Sequence, residues 1–557
     1  MRNVLLGCLS LCGLALACGE APTPPPKVPE APALAASAPV ATASAAPPAE
    51  APKVAVKPPP ARKEPGYALP IVAPDMAEWE RATKVKGVPP APATCAAYAT
   101  RLTTGKDCPL PRPALERALK EADPGKRDAQ LAALERCPGF TVEQPWPAGF
   151  VRTLRADLAP LECADAIADA AIRKPEAGTS PLLSHTLAGL SLAARISRTP
   201  RPMPRLAPPF TKDRVLAHTQ ALIKDWYVEQ ARIVEEISLA GAKLAFYGRA
   251  IVAIEAGLAE LRFIEGTRQI PVPEEWNKDP ELKDAYFVTL EQALEPRKAR
   301  ARDAVLLGLR ELASVGFVHD ARVTRARATL ARMYAGRRID MLDDLILPPV
   351  TADDGALLGV LSTFYAGFLL PARDTTDPSV LSRVFQRGVP WTVRAALDQD
   401  PRRFADPVLR RQYTRVRFDL GRTHWRGADF DAVRDILHHA GDADPAARLL
   451  GALVDALSRG PDDAVQMMHA KSPGELQIRD VKALEALAKD PTVGAMAEYD
   501  AAVLLALAPP DDARAAYFQD VAARFGRAAA AFSDPALQKR AEERKKAAEL
   551  VAGAAPK

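Results

Sequence analysis

No cysteine follows Cys163, the last of the four that stand in the body of the chain, Cys95, Cys108, Cys137 and Cys163. Aromatic residues make up only 6% of the 557 residues, while Ala, Leu and Arg are abundant. That composition favours helix over sheet, because strands draw on aromatic and β-branched side chains. Long apolar runs are missing as well: the uncharged stretch Val4 to Ala17 is shorter than the roughly 20 residues a membrane-spanning helix needs. Common catalytic signatures are also lacking. GxxxxGK[ST], HExxH and GxGxxG do not occur, and Thr103-Thr104-Gly105-Lys106-Asp107 lacks the first glycine of a phosphate loop. The nearest approach to a GxSxG elbow, Gly189-Leu190-Ser191-Leu192-Ala193, lies within an apolar helical pattern and reads as packing. There is no CxxC, and the first histidine is His185, so a zinc site near the cysteines is not expected. The net charge of +5 demands no polyanionic partner, and no nucleic acid, metal, cofactor or small-molecule substrate is expected.

At the N-terminus, Arg2 precedes an apolar stretch with the n-region and h-region form of an export signal. Leu14-Ala15-Leu16-Ala17 leads directly into Cys18. This resembles the lipobox of bacterial lipoproteins. The resemblance implies cleavage before Cys18, lipidation of Cys18 and membrane anchoring of residues 18 onward. Gly19 in place of Asp favours, by the sorting rule of such lipoproteins, the outer membrane facing the periplasm. Residues 18–66 then read as anchor and tether: Pro24-Pro25-Pro26, Pro47-Pro48 and Pro58-Pro59-Pro60 punctuate an Ala-rich segment without aromatics. Such a segment buries too little apolar surface to fold, and its prolines leave polyproline II and coil. Fully extended, it reaches roughly 150 Å.

In an exported chain, an even cysteine count reads as two disulfides. Three pairings satisfy the count, and we expect the two local ones, Cys95–Cys108 and Cys137–Cys163. They fall in a small helical region, residues 67–200, where Ala114 to Leu134 reads as two helices broken at Asp123-Pro124-Gly125. The proline-dense Thr199 to Phe210 marks a boundary. Residues 211–347 form a long-helix central region. The stretch from Ala245 to Gly266 is apolar around most of its circumference, the pattern of a helix buried among neighbours. Helices are expected to resume at Glu281, with breaks near Pro296 and Gly316.

Residues 350–550 carry the clearest repeated unit. Arg417 to Pro445 reads as a helix, a turn at Gly427-Ala428-Asp429 and a second helix. It resembles a tetratricopeptide repeat. Leu420-Gly421, Phe430, Leu437, Ala440 and Pro445 match that family's packing and terminating positions. Arg417 stands where Trp is frequent, His424 where an aromatic is usual, and Val433 where Ala is expected. Similar Pro-Asp-Asp-Ala turns at Pro461 and Pro510 open further helices. The resemblance implies an all-α solenoid of helical hairpins and a protein-interaction role.

Three features bear on chemistry. Glu255, Glu260 and Glu265 surround Arg262, but five-residue spacing turns successive groups by about 140°, so pairing with neighbouring helices is expected in place of acid–base work. His438-His439 cannot form an i, i+4 metal pair, and His424 reads as a core-edge ring. Residues 296–338 hold a basic excess in which Arg322, Arg325 and Arg332 share a helix side, a candidate anion-binding face. The expected function is that of a non-enzymatic envelope lipoprotein scaffold with an envelope protein partner. A cell-wall hydrolase or lyase with an unfamiliar site, and a binder of envelope polyanions, are the alternatives.

Overall fold

A computed structural model describes residues 71–101, 108–137, 139, 146–333, 341–349, 361–370, 378–399, 406–440, 444–457, 481–507, 509–510 and 513–554. The export signal, Cys18, the tether and the Pro461 turn lie outside the described residues. So do part of the Pro510 turn and residues 334–340 of the basic region. The fold is all-α. Among the described residues there is no strand, only an isolated antiparallel bridge between Phe317 and Gly388.

The N-terminal part comprises α1 (Met76–Thr83), α2 (Pro111–Lys120), α3 (Pro124–Leu134), α4 (Phe150–Leu158), α5 (Ala164–Arg173) and α6 (Pro181–Arg198). Asp75 caps α1 and Asp123 caps α3, each carboxylate accepting from free amides of the first turn. The central part holds α7 (Lys212–Ala221), which runs through a π-helical segment Leu222–Val228 into α8 (Glu229–Ala242). It continues with α9 (Phe246–Arg268), α10 (Pro280–Ser314) and α11 (Ala321–Met333). The C-terminal part comprises α12 (Thr363–Leu369), α13 (Pro378–Phe385), α14 (Trp391–Gln399), α15 (Pro407–His424), α16 (Gly427–Ala440) and α17 (Pro445–Leu457). It ends with α18 (Lys482–Leu487), α19 (Gly494–Leu507), α20 (Ala515–Ala531) and α21 (Pro535–Ala554).

Helix α9 is the axis of the molecule, buried along nearly its whole length and packed between α6, α8 and α10. Close approach is set by glycine: a Cβ on Gly248 would fall on the His185 carbonyl of α6, and one on Gly189 would fall on Gly248. At this crossing His185 accepts the Ala245 amide on Nδ1 (3.2 Å) and donates through Nε2 to the Val72 carbonyl (2.9 Å), which ties the start of the described chain to the axis. One hydrophobic core runs through all three parts, from Trp79 to Ala548.

Two expectations are corrected. Helix α10 passes through Pro296 without a break. Pro296 and Gln292, the residue whose carbonyl loses its intrahelical donor, are both exposed, so water can serve that carbonyl and the chain need not turn. The break at Gly316 does occur, at a left-handed φ of +85°. The cysteine pairing is not local. Cys95 joins Cys163 (Cα–Cα 4.9 Å) and Cys108 joins Cys137 (Cα–Cα 5.4 Å). Helices α2 and α3 form an antiparallel hairpin whose open end brings Cys108, just before α2, beside Cys137, just after α3. The turn at Ala96–Ala99 lies on α5, which places Cys95 next to Cys163 at the start of that helix.

Candidate functional site

The repeat-like hairpin α15–α16 shows how this chain departs from its resemblance. Trp425 closes α15 in the left-handed region, and the turn lies at Trp425-Arg426, so that Gly427-Ala428-Asp429 already belongs to α16. Leu420, Phe430 and Leu437 are buried, Gly421 abuts the Phe430 ring, and Pro445 opens α17. Ala440 lies in α16, its side chain outside the described set. Arg417 and His424 replace aromatic packing with buried polar contacts. Asp429, fully buried, faces Arg417 (3.0 Å), Arg426 (3.5 Å) and Arg394 of α14 (3.8 Å). Burial alone would raise its carboxyl; the three guanidiniums outweigh burial and hold it below the ordinary value.

His424 donates through Nε2 to the Phe317 carbonyl at 2.6 Å, and its buried Nδ1 has no partner among the described residues. Burial pushes its pKa down to about 4. The unfolded chain therefore takes up this proton at a higher pH than the folded chain. The His424 contribution to stability is complete above about pH 6.5 and falls as pH drops toward 4, by about 3 kcal/mol for a shift of this size. The gap in urea midpoint between the unaltered protein and His424→Phe, which is less stable at neutral pH, should narrow from pH 7.5 to pH 4.5, a comparison in which the opposite drift from the raised carboxyls Glu255, Glu260 and Glu311 cancels.

The acidic groups of α9 meet basic groups of neighbouring helices. Glu260 binds Arg297 of α10 at 2.9 Å, and Glu255 binds Arg325 of α11 at 3.0 Å. Glu311 of α10 binds Arg249 of α9 at 2.6 Å. Burial raises all three carboxyls, Glu260 to about 7. Each is held by its own arginine, so these three carboxyls form no shared acid–base centre. Arg262 donates to the Ser197 carbonyl.

The basic face is built differently from the sequence picture. Arg322 is paired with Asp157 of α4, donates to the Tyr247 hydroxyl (2.5 Å) and lies over the Tyr247 ring (5.4 Å). Tyr247 in turn donates to Asp157 at 2.8 Å. Burial alone would lower the Arg322 guanidinium, but Asp157 outweighs it and holds the charge firmly. Arg325 is engaged by Glu255, and Arg327 by Asp343 at 2.7 Å. Arg332 lies in α11, its side chain outside the described set. The arginines described here thus bind α4, α9 and the 341–349 segment. For Arg322 and Arg325 this was not legible in the sequence, because Asp157 and Glu255 lie 165 and 70 residues away along the chain.

Ser191, at the centre of the elbow-like stretch, is a buried packing residue. It donates to Asp169 (2.6 Å) and accepts from the Trp79 indole (3.1 Å). Beside the disulfides, fully buried Arg155 binds Asp128 (3.0 Å) and Glu135, joining α4 to the α2–α3 hairpin. Among the described residues, no group of three or more His, Cys, Asp or Glu side chains could hold a metal ion. No described helix is long and apolar enough to cross a membrane.

The segment 341–349 packs against α15, α19 and α21. It opens with a 3-10 turn, Met341–Asp344, and its Leu342, Leu345, Ile346 and Leu347 side chains are buried. Main-chain atoms of the segment are bound by side chains of these helices. Arg422 donates to the carbonyls of Leu342 (3.3 Å) and Leu345 (3.1 Å), and Arg415 to that of Pro348. Asp500 of α19 accepts the Ile346 amide at 2.7 Å. Asp419 positions both arginines, at 3.0 Å from Arg415 and 2.7 Å from Arg422. On α21, Arg540 donates to the Asp343 carbonyl (3.1 Å), and Arg544 pairs with Asp344. No family model, no curated protein and no solved structure matches the chain.

Proposed function

We propose that this chain is a lipid-anchored, non-enzymatic scaffold of the bacterial cell envelope. In this reading a proline-rich tether carries an all-α body that binds a protein partner. The observation that carries the address is the cysteine usage. All four body cysteines stand in two pairs, Cys95–Cys163 and Cys108–Cys137, and such pairs persist in oxidising compartments outside the cytosol. The lipobox-like Leu14 to Cys18 and the tether behind it agree with that address.

Two features support a scaffold over the alternatives. The raised carboxyls Glu255, Glu260 and Glu311 are each engaged by an arginine, which leaves them poorly placed to act on a substrate. Arg322 and Arg325, which a polyanion would need, are already paired with the buried carboxylates of Asp157 and Glu255, and binding there would strip those carboxylates of a partner.

The test is fractionation with in-cell crosslinking. Cys18→Ala should move the protein from the membrane to the soluble fraction, and crosslinks from the body to a defined envelope partner should fall with it. Unchanged fractionation would overturn the anchoring.

A further inference from the structure

We propose that Cys108–Cys137 is a reducible latch on α2, a redox switch set inside a region that the Cys95–Cys163 bond keeps folded. The inference goes beyond the scaffold reading and needs no partner. Three observations carry it. First, the two bonds differ in access. Cys95 and Cys163 are each only 2% exposed, whereas Cys108 is exposed and Cys137 alone is buried. Thiol–disulfide exchange requires a thiolate to reach one sulfur, so access selects the bond that opens, and exposed bonds are the labile ones. Second, the latch has an element to release. The buried residues of α2 are Leu115 and Ala118 alone, and the helix packs chiefly on α3. The bond fixes the start of α2, and the turn into α3 fixes its end. Third, the surroundings are braced without it. Arg155 of α4 binds Asp128 and Glu135, Arg127 donates to the Leu158 carbonyl (2.8 Å) and Arg101 to the Gly125 carbonyl (2.6 Å). Cys95–Cys163 closes the chain around the whole hairpin. Opening the latch therefore frees α2 and leaves α3 on α4.

The co-reactant is a dithiol. One of its thiolates attacks Cys108 Sγ, the S–S bond breaks, and Cys137 leaves with the electron pair and takes up a proton. The second thiol of the reductant attacks the mixed disulfide, which releases Cys108 as a thiol and the reductant as its own disulfide. Two electrons and two protons pass to the protein, and a disulfide oxidant reverses the exchange.

The experiment uses the unaltered full-length protein, purified oxidised in mild detergent and treated with dithiothreitol under native conditions. New thiols are alkylated and mapped. Cys108 and Cys137 should appear at least tenfold faster than Cys95 and Cys163. Equal rates, or earlier opening of Cys95–Cys163, overturns the inference. Hydrogen exchange then reads the consequence. With the latch open, the amides of Leu115 and Ala118 should exchange at least tenfold faster, while those of Leu154 and Ala156 in α4 keep their rate. An unmoved α2, or an equal rise in α4, would show that no separate element is released and overturn the switch. Re-oxidation with oxidised glutathione should restore slow exchange in α2, and failure to do so counts equally against it. Cys108→Ser with Cys137→Ser should show fast α2 exchange without reductant. Slow exchange there would show that the bond does not hold the helix. These measurements use purified protein. They therefore stand or fall separately from membrane anchoring and in-cell crosslinking, which test the scaffold reading.

Discussion

Asp429→Ala is expected to destabilise the protein by about 3–5 kcal/mol, the cost of removing one partner from a buried ion cluster. Asp429 is fully buried, and Arg417, Arg394 and Arg426 converge on it. Arg417 and Arg394 are themselves almost completely buried. Removing the carboxylate therefore leaves positive charge in a low-dielectric site, with repulsion among the three guanidiniums added. Deleting a surface pair would cost less than about 1 kcal/mol, so the size of the effect separates a structural hub from a decorative bridge. The double variant Asp429→Ala, Arg417→Met should recover part of the loss, with a coupling of about 1–3 kcal/mol. Urea unfolding of the single and double variants at pH 7.5 provides the measurement. A loss below about 1 kcal/mol for Asp429→Ala would show that the cluster does not hold α14, α15 and α16 together.

Opening the outer disulfide should cost about 4 kcal/mol on the chain-entropy account, and opening the inner one about 3.5 kcal/mol. The ranking follows from the separations, 68 residues for Cys95–Cys163 and 29 for Cys108–Cys137. The outer pair also joins the chain before the α2–α3 hairpin to the start of α5, so its loss frees the hairpin from one of its two anchors. Cys95→Ser with Cys163→Ser should lower the urea midpoint more than Cys108→Ser with Cys137→Ser. The Arg155 cluster should keep α4 on the hairpin in both, because its contacts to Asp128 and Glu135 do not depend on either bond. Two or more reactive thiols on the unreduced protein, or an effect below 1 kcal/mol for both variants, would contradict the assignment.

The sequence exposed the helices well and their partners poorly, for a physical reason. Helical periodicity is local: the turn at Asp123-Pro124, the apolar circumference of α9 and the Leu420-Gly421 crossing can all be read within a few residues. Disulfide choice, by contrast, depends on which ends of elements meet. The α2–α3 hairpin was itself legible, and antiparallel packing of that hairpin is what brings Cys108 to Cys137. The signal for Cys108–Cys137 therefore lay in the hairpin and not in local loop length. The basic region shows the same limit. Arg322 and Arg325 share a helix side in sequence, yet Asp157 and Glu255 reach them from α4 and α9. Pro296 suggested a break that solvent exposure made unnecessary.

The chemistry of Cys18 is the most direct test of a lipid-anchored address. Mass spectrometry of the N-terminal fragment, prepared from protein extracted from membranes, decides it. The account predicts a fragment that begins at Cys18 and carries the added mass of a thioether-linked, acylated glycerol. A fragment that begins elsewhere, or an unmodified Cys18, would contradict it.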